Sequence, residues 1–176
     1  VAGGRRLVVP AGSATRPTAD RTREALFSSL VSWRGSLTGA AFLDLYAGSG
    51  AVGLEAASRG AGRVVLVEQA AAALRALRVN VAALALPGVE VRGEPVERVL
   101  ATTPAAAYDV VFCDPPYSQP VGEVLDALCG PGWLAADAVV VLERATRDRA
   151  LDWPGGLEPV RSRRYGESTL WYGRRS

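Results

Sequence analysis

The sequence predicts an α/β protein built on a mostly parallel, doubly wound sheet that closes with an antiparallel hairpin and carries a short N-terminal extension. Three observations carry that reading. From residue 40 onward, apolar runs of strand length alternate with segments of helical character. Gly48-Ser49-Gly50-Ala51-Val52-Gly53 places the spacing G-x-G-x-x-G between one such run and the helix after it. A later apolar run, Val110 to Cys113, stops at Asp114-Pro115-Pro116-Tyr117. Proline has no N–H for a sheet ladder, so a strand is expected to end there in a stiff corner.

The elements follow in order. Gly4 to Pro10 reads as a short strand, Arg5-Arg6-Leu7-Val8-Val9, and Ala11 to Pro17 as loop. A helix is expected from about Thr18–Asp20, with Leu26, Leu30 and Trp33 on one face. Gly35 to Gly39 looks like a linker, which sets a boundary between an extension at 1–35 and a domain at 36–176. Strand Ala41–Tyr46, the glycine turn and helix Val52–Ser58 come next. Strand Arg63–Glu68 leads to helix Ala70–Leu86, stopped by Pro87-Gly88. Strand Val89–Arg92, a short helix at Val96–Leu100 and strand Tyr108–Cys113 lead into the proline corner. Helix Val121–Leu128 and buried strand Ala138–Leu142 precede the hairpin, Val160–Tyr165 and Thr169–Tyr172, joined through Gly166.

Composition narrows the chemistry. The chain has 176 residues, enough for one domain with a full core, and a net charge of only +2, so charge alone implies no nucleic-acid partner. All 20 basic residues are arginine, grouped as Arg5/Arg6, Arg16/Arg21/Arg23, Arg144/Arg147/Arg149 and Arg161/Arg163/Arg164. Such groups are ordinarily solvated faces, yet the planar guanidinium fork also suits phosphate. The absence of histidine excludes a Ser-His-Asp or Cys-His mechanism and a histidine metal site. Cys113 and Cys129 lie in apolar contexts without metal-ligand spacing. Val1–Arg6 has no apolar stretch like a signal peptide, and no apolar run is long enough to span a bilayer; a cytoplasmic protein without membrane partner is expected.

Charge also separates the ligands that a glycine turn can take. A dinucleotide would bring its pyrophosphate to the turn, but Asp44 precedes the turn, Glu68 ends the neighbouring strand at roughly the 20-residue separation of a ribose-binding acid, and Asp114 ends the fourth strand. Three carboxylates at one edge suit a cation. S-adenosylmethionine (SAM) has a sulfonium, an ammonium and a ribose diol: Glu68 is expected at the diol, Asp44 at the ammonium directly or through water, and the N–H groups of the turn at the remainder. No metal is expected. At the proline corner, Asp114 and the Pro115 carbonyl could accept the hydrogens of an exocyclic amine while Tyr117 stacks on its base.

These residues resemble a known family. Asp44-Leu45-Tyr46-Ala47-Gly48-Ser49-Gly50 is similar to the SAM motif of class I methyltransferases, and Asp114-Pro115-Pro116-Tyr117 to their amine-methylating motif. Arg16-Pro17-Thr18, Asp20-Arg21 and Arg23-Glu24-Ala25-Leu26-Phe27 resemble the N-terminal signature of the RsmD family, bacterial 16S ribosomal RNA guanine-N2 methyltransferases. The resemblance extends through Leu54-Glu55-Ala56 to Gly132-Trp133-Leu134. It implies a seven-stranded Rossmann-like sheet and SAM held by Asp44, Tyr46, Ala47, Gly48, Ser49, Gly50, Glu68, Gln69 and Asp114. It implies Glu94 at the adenine, although Gly93-Glu94-Pro95 departs from the usual pattern there. Catalysis falls to Asp114, Pro115 and Tyr117, and RNA contact to Arg5, Arg6, Arg16, Thr18, Arg21 and Arg23. The implied partner is 16S rRNA in an assembling 30S particle, approached by a monomer. Another amine methyltransferase (adenine N6, cytosine N4 or protein glutamine), an NAD-dependent oxidoreductase and a non-catalytic assembly factor stand as alternatives at this point.

Overall fold

The computed structural model describes residues 7–10, 17–116 and 119–176, without the side chains of 17–19. Its elements are α1 (Pro17–Arg34), β1 (Ala41–Leu45), α2 (Ala51–Ser58), β2 (Arg63–Val67), α3 (Ala71–Leu84), β3 (Val89–Arg92), α4 (Val96–Leu100), β4 (Tyr108–Cys113), α5 (Gly122–Leu128), β5 (Leu134–Ala145), β6 (Leu157–Tyr165) and β7 (Ser168–Arg175). The seven strands form one sheet in the order β3-β2-β1-β4-β5-β7-β6. The first five run parallel; β7 lies antiparallel between β5 and β6. The strand order reverses between β1 and β4, which opens a crevice beyond their carboxyl ends.

Period-2 alternation assigns the two faces. Phe42 and Asp44 of β1 point to the side covered by α1, α2 and α3, while Leu43 and Leu45 point to the side of α4 and α5. Val64 and Leu66 of β2, and Val110 and Phe112 of β4, join the first core; Val65, Val67, Val111 and Cys113 join the second. Both faces are covered, and the central strands are therefore near-continuous apolar runs.

Helix α1 is integral to the first core. Leu26, Phe27 and Leu30 are at most 1% exposed and pack with Phe42, Leu54 and Leu170. Burial of each is worth about 1.5–3 kcal/mol. Thus the later part of the segment expected as an extension, 1–35, shares its core with 36–176. The helix crosses the sheet from the carboxyl edge, where Thr22 and Leu26 stand, to the amino edge, where Arg34 pairs with Asp109 at 3.3 Å.

Three expectations need correction. Leu7 to Pro10, expected within a strand, pairs with no strand among the described residues; the Val8 N–H donates to Asn80 Oδ1 (2.7 Å) and the Val8 carbonyl accepts from Asn80 Nδ2 (2.8 Å). A side-chain amide thus takes the place of a neighbouring strand. Strand β5 is longer than 138–142: it begins at Leu134, paired with Tyr108, passes a register shift around exposed Asp137, whose φ is 62°, and runs on to Ala145, where pairing with β7 and not apolarity defines it. The hairpin is likewise longer, since β6 is an edge strand with a largely polar surface. Among the described residues no helix is long and apolar enough to cross a membrane.

Candidate active site

Local sequence builds the cleft at the β1/β4 crevice. After Leu45 the chain leaves the sheet through Tyr46, whose φ of 64° is costly for a non-glycine residue, and Gly48, with φ 58°. A Cβ built on Gly48 meets nothing within 4 Å, so its backbone stands bare toward open space. Gly53 serves packing instead: a Cβ there would collide with Leu66 and lie 3.1 Å from Asp44 Oδ2. Its absence lets α2 settle directly on β1 and β2. Gly50 is buried beneath the turn, and its N–H closes it by donating to the Ala47 carbonyl (2.8 Å).

The cleft holds about 250 Å³ and is walled by three carboxyl groups, Asp44, Asp114 and Glu143, with Thr22, Arg23 and the turn residues around them. Asp44 is 1% exposed, and its Oδ2 accepts the Gly53 N–H at 2.8 Å. Burial pushes its carboxyl up to about 7 against the opposing Gly53 hydrogen bond, and Glu68 adds a smaller upward push. Asp114 continues the β4 path, its N–H lying 3.4 Å from the Leu45 carbonyl oxygen. Desolvation raises the Asp114 carboxyl above the usual range, Glu143 and then Asp44 raise it further, and Arg144 opposes them. The residue retains an exposed surface at the cleft mouth, so water screens this shift more than that of Asp44. Glu143 is raised by desolvation, partly offset by a hydrogen bond with Ser168. Cys113 is fully buried, and burial followed by Asp114 and Asp44 pushes its thiol well up; it stays neutral and is no nucleophile.

At the proline corner, Pro115 is buried and Pro116 exposed, and the Pro116 carbonyl accepts from the Gln119 N–H at 2.9 Å. The corner is therefore anchored on both sides. A cleft with several acidic groups and an exposed glycine backbone can take a cationic ligand and disfavours a pyrophosphate.

Comparison with known proteins agrees with this geometry. A family model described as conserved hypothetical protein 95 matches residues 1–174. The ribosomal RNA small subunit methyltransferase D of Escherichia coli (strain K12) is 38% identical over 141 residues, covering 80% of this chain and 69% of that protein. The chain belongs to the RsmD family. Among solved structures, the Escherichia coli protein yhhF is 33% identical with a TM-score of 0.85, covering 98% of this chain and 93% of that one. A hypothetical protein of Thermus thermophilus is 37% identical with a TM-score of 0.77, covering 96% and 92%. The seven-stranded sheet is the class I methyltransferase fold.

In this RsmD-family chain the residues expected from the sequence separate by position. Asp44, Tyr46, Ala47, Gly48, Ser49, Asp114 and Arg23 line the cleft. Glu68 is not among the cleft-lining residues but is tied to the turn, its Oε2 accepting the Gly48 N–H (2.8 Å) and its Oε1 the Ala70 N–H (2.7 Å), and it remains partly exposed. Gln69 is exposed beside it. Glu94 is engaged by Arg92 at 3.1 Å and is not among the cleft-lining residues. Arg21 is exposed on α1, and Arg23 pairs with Asp20 at 2.8 Å, answering the charge at this helix start with a carboxylate. Arg5, Arg6, Arg16, Tyr117 and the Thr18 side chain lie outside the described residues.

Two residues escaped the sequence reading. Glu143 follows the run Val139–Leu142, and the β4–β5 register pairs Cys113 with Leu142, which sets Asp114 and Glu143 side by side. A carboxylate ending an apolar strand was the available signal, the same one that marked Glu68. Asn80 is 2% exposed; beyond holding Val8, its Nδ2 donates to the Ser49 carbonyl at 2.9 Å. It ties the N-terminal segment and the glycine turn to α3, and nothing local in the sequence announces that role.

Proposed function

We propose that this chain transfers a methyl group from SAM to the N2 amine of a guanine in 16S ribosomal RNA, acting as a monomeric cytoplasmic enzyme on an assembling 30S particle. The observation that carries the reading is Asp114, held by a stiff proline corner at the cleft of the glycine turn, in a chain 38% identical to a protein named for small-subunit rRNA methylation. We take 1–35 as the part that adds RNA contact to the methyltransferase domain 36–176, through Arg5, Arg6, Arg16, Thr18, Arg21 and Arg23.

The residues fit SAM. Gly48 offers an open backbone surface on the cleft, and the acidic walls compensate a ligand cation. Gly48, Ser49 and Ala47 would hold the methionine and ribose portions, with Glu68 and Gln69 at the diol and Glu94 toward the adenine after it leaves Arg92. Asp44, almost wholly buried, would act on the ammonium through its field or through water. When bound, SAM supplies an electrophilic methyl group on a sulfonium.

The remaining work belongs to the chain. A guanine amine is a weak nucleophile because its lone pair is delocalised into the ring. The Asp114 carboxylate and the Pro115 carbonyl would accept its N–H hydrogens, fix its direction of approach and stabilise charge developing on nitrogen. Tyr117 would stack on the base. The raised affinity of Asp114 for protons matches it to take the proton that the methylated amine must lose. Asp114→Asn is expected to retain SAM binding through the glycine turn, weakened by the loss of one wall charge, and to lose about 10²–10³-fold in turnover, by analogy with the loss of one transition-state hydrogen-bonding group. Calorimetry for SAM and transfer of labelled methyl to 30S particles test this; normal turnover in the variant would remove Asp114 from the chemistry.

A further inference from the structure

We propose a second RNA-phosphate surface, formed by Arg147, Arg149, Arg163 and Arg164 on the β5–β6–β7 side of the cleft, that grips the strand flanking the target nucleotide. It deepens, and rests on, the reading of the chain as an rRNA methyltransferase.

The sheet register places this surface. Glu143, a wall of the cleft, pairs with Leu170, also a wall, and Leu170 pairs with Arg163. Arg163 is therefore two strand spacings, about 10 Å, from Glu143 along the sheet. Because β6 runs antiparallel to β7, it rises toward the rim on which the cleft opens, so Arg164 and Tyr165 finish at that rim. The loop after β5 is fastened to the same place: the Thr146 N–H donates to the Glu167 carbonyl (2.7 Å) and the Thr146 and Thr169 hydroxyls bond at 3.0 Å. The loop carrying Arg147 and Arg149 thus lies at the hairpin end that carries Arg163 and Arg164; by strand alternation Arg163 leaves the sheet on the face of Leu170 and Glu143 and Arg164 on the opposite face, so these residues flank the rim from both sides.

All four arginines are exposed, and none forms an ion pair among the described residues. Arg164 gives only its Nε, to the Gly166 carbonyl at 3.0 Å. Arginines elsewhere on this half of the sheet have defined structural tasks. Arg174 pairs with Asp137 at 2.7 Å, and Arg161 lies over the rings of Trp33 and Tyr172 at 4.4 and 5.2 Å. The acids at the rim are Asp148, which pairs with Arg144 at 2.9 Å, and Glu167 on the hairpin tip. Outside the cleft, whose own carboxyls are Asp114 and Glu143, this part of the rim carries more guanidinium groups than carboxylates. A base extruded into the cleft brings its flanking phosphates to such a rim, where guanidinium groups can bind them without reading sequence.

The test uses the full chain with purified 30S particles and a small-subunit rRNA fragment as probes. The double variants Arg163→Ser/Arg164→Ser and Arg147→Ser/Arg149→Ser are compared with Arg75→Ser on exposed α3. Each double variant is expected to lower the slope of log K against log salt by about 1–2, at roughly 0.7–0.9 per phosphate contact, and to weaken RNA binding about tenfold or more at physiological salt. KM for the particle should rise, while kcat, SAM affinity and melting temperature stay at wild-type values. Slopes and KM equal to those of Arg75→Ser would show a merely solvated face and overturn the proposal. A wild-type protein that binds no RNA would overturn both this surface and the functional reading beneath it, whereas wild-type binding with unaffected variants removes this surface alone.

Discussion

Asp44→Asn isolates the cost of a carboxylate placed where almost no water reaches it. Asp44 is 1% exposed and titrates at about 7, against an ordinary aspartate value of 3.8. Below the lower value the group is protonated in both folded and unfolded chains and costs nothing. Between the two values the unfolded chain releases its proton first, so unfolding becomes easier as pH rises. Above about 7 both states are ionised and the penalty is constant. The gap between the two values corresponds to about 4 kcal/mol, of which about 3 kcal/mol falls between about pH 4.5 and 8.5. Asparagine keeps the shape and, through Oδ1, an acceptor for the Gly53 N–H, but carries no proton to lose. The stability of Asp44→Asn relative to wild type, from urea unfolding of the unliganded protein, should therefore rise by about 3 kcal/mol across that range. A constant offset at all pH values reports only altered hydrogen bonding around the new amide and is read separately from the slope. A relative stability that does not change with pH would refute the argument that Asp44 is buried as a strained carboxyl.

Two further outcomes test the turn and its tether. Gly48→Ala has room for its methyl group and should fold with about 1–2 kcal/mol of left-handed strain but weakened SAM affinity, whereas Gly53→Ala must displace Leu66 and should lose about 1–3 kcal/mol; paired denaturation and calorimetry read the contrast, and undiminished SAM affinity in Gly48→Ala would reject it. Asn80→Ala leaves the Val8 N–H and the Val8 and Ser49 carbonyls without this partner and should cost about 1–3 kcal/mol, with faster amide exchange at Val8; unchanged exchange there would show that the N-terminal segment is held by something other than Asn80.

The sequence by itself determined the order of elements from β1 to β7, the glycine turn, the proline corner and the family, because each is written in local chemistry: apolar period, turn residues and a missing proline N–H. It placed Asp44 and Asp114 at one edge, since both sit at strand ends in the pattern. Only the tertiary structure decided that Glu143 stands beside Asp114, because that contact depends on which strand β4 pairs with and in which register. It also decided that Asp44 and Glu68 accept backbone N–H groups of the βα turns, that Asn80 replaces a strand for Val8, and that Arg147 and Arg149 share a rim with Arg163 and Arg164. Such facts join residues far apart in the chain, and local propensity carries no record of them; they are set when the sheet is assembled and its two faces are covered.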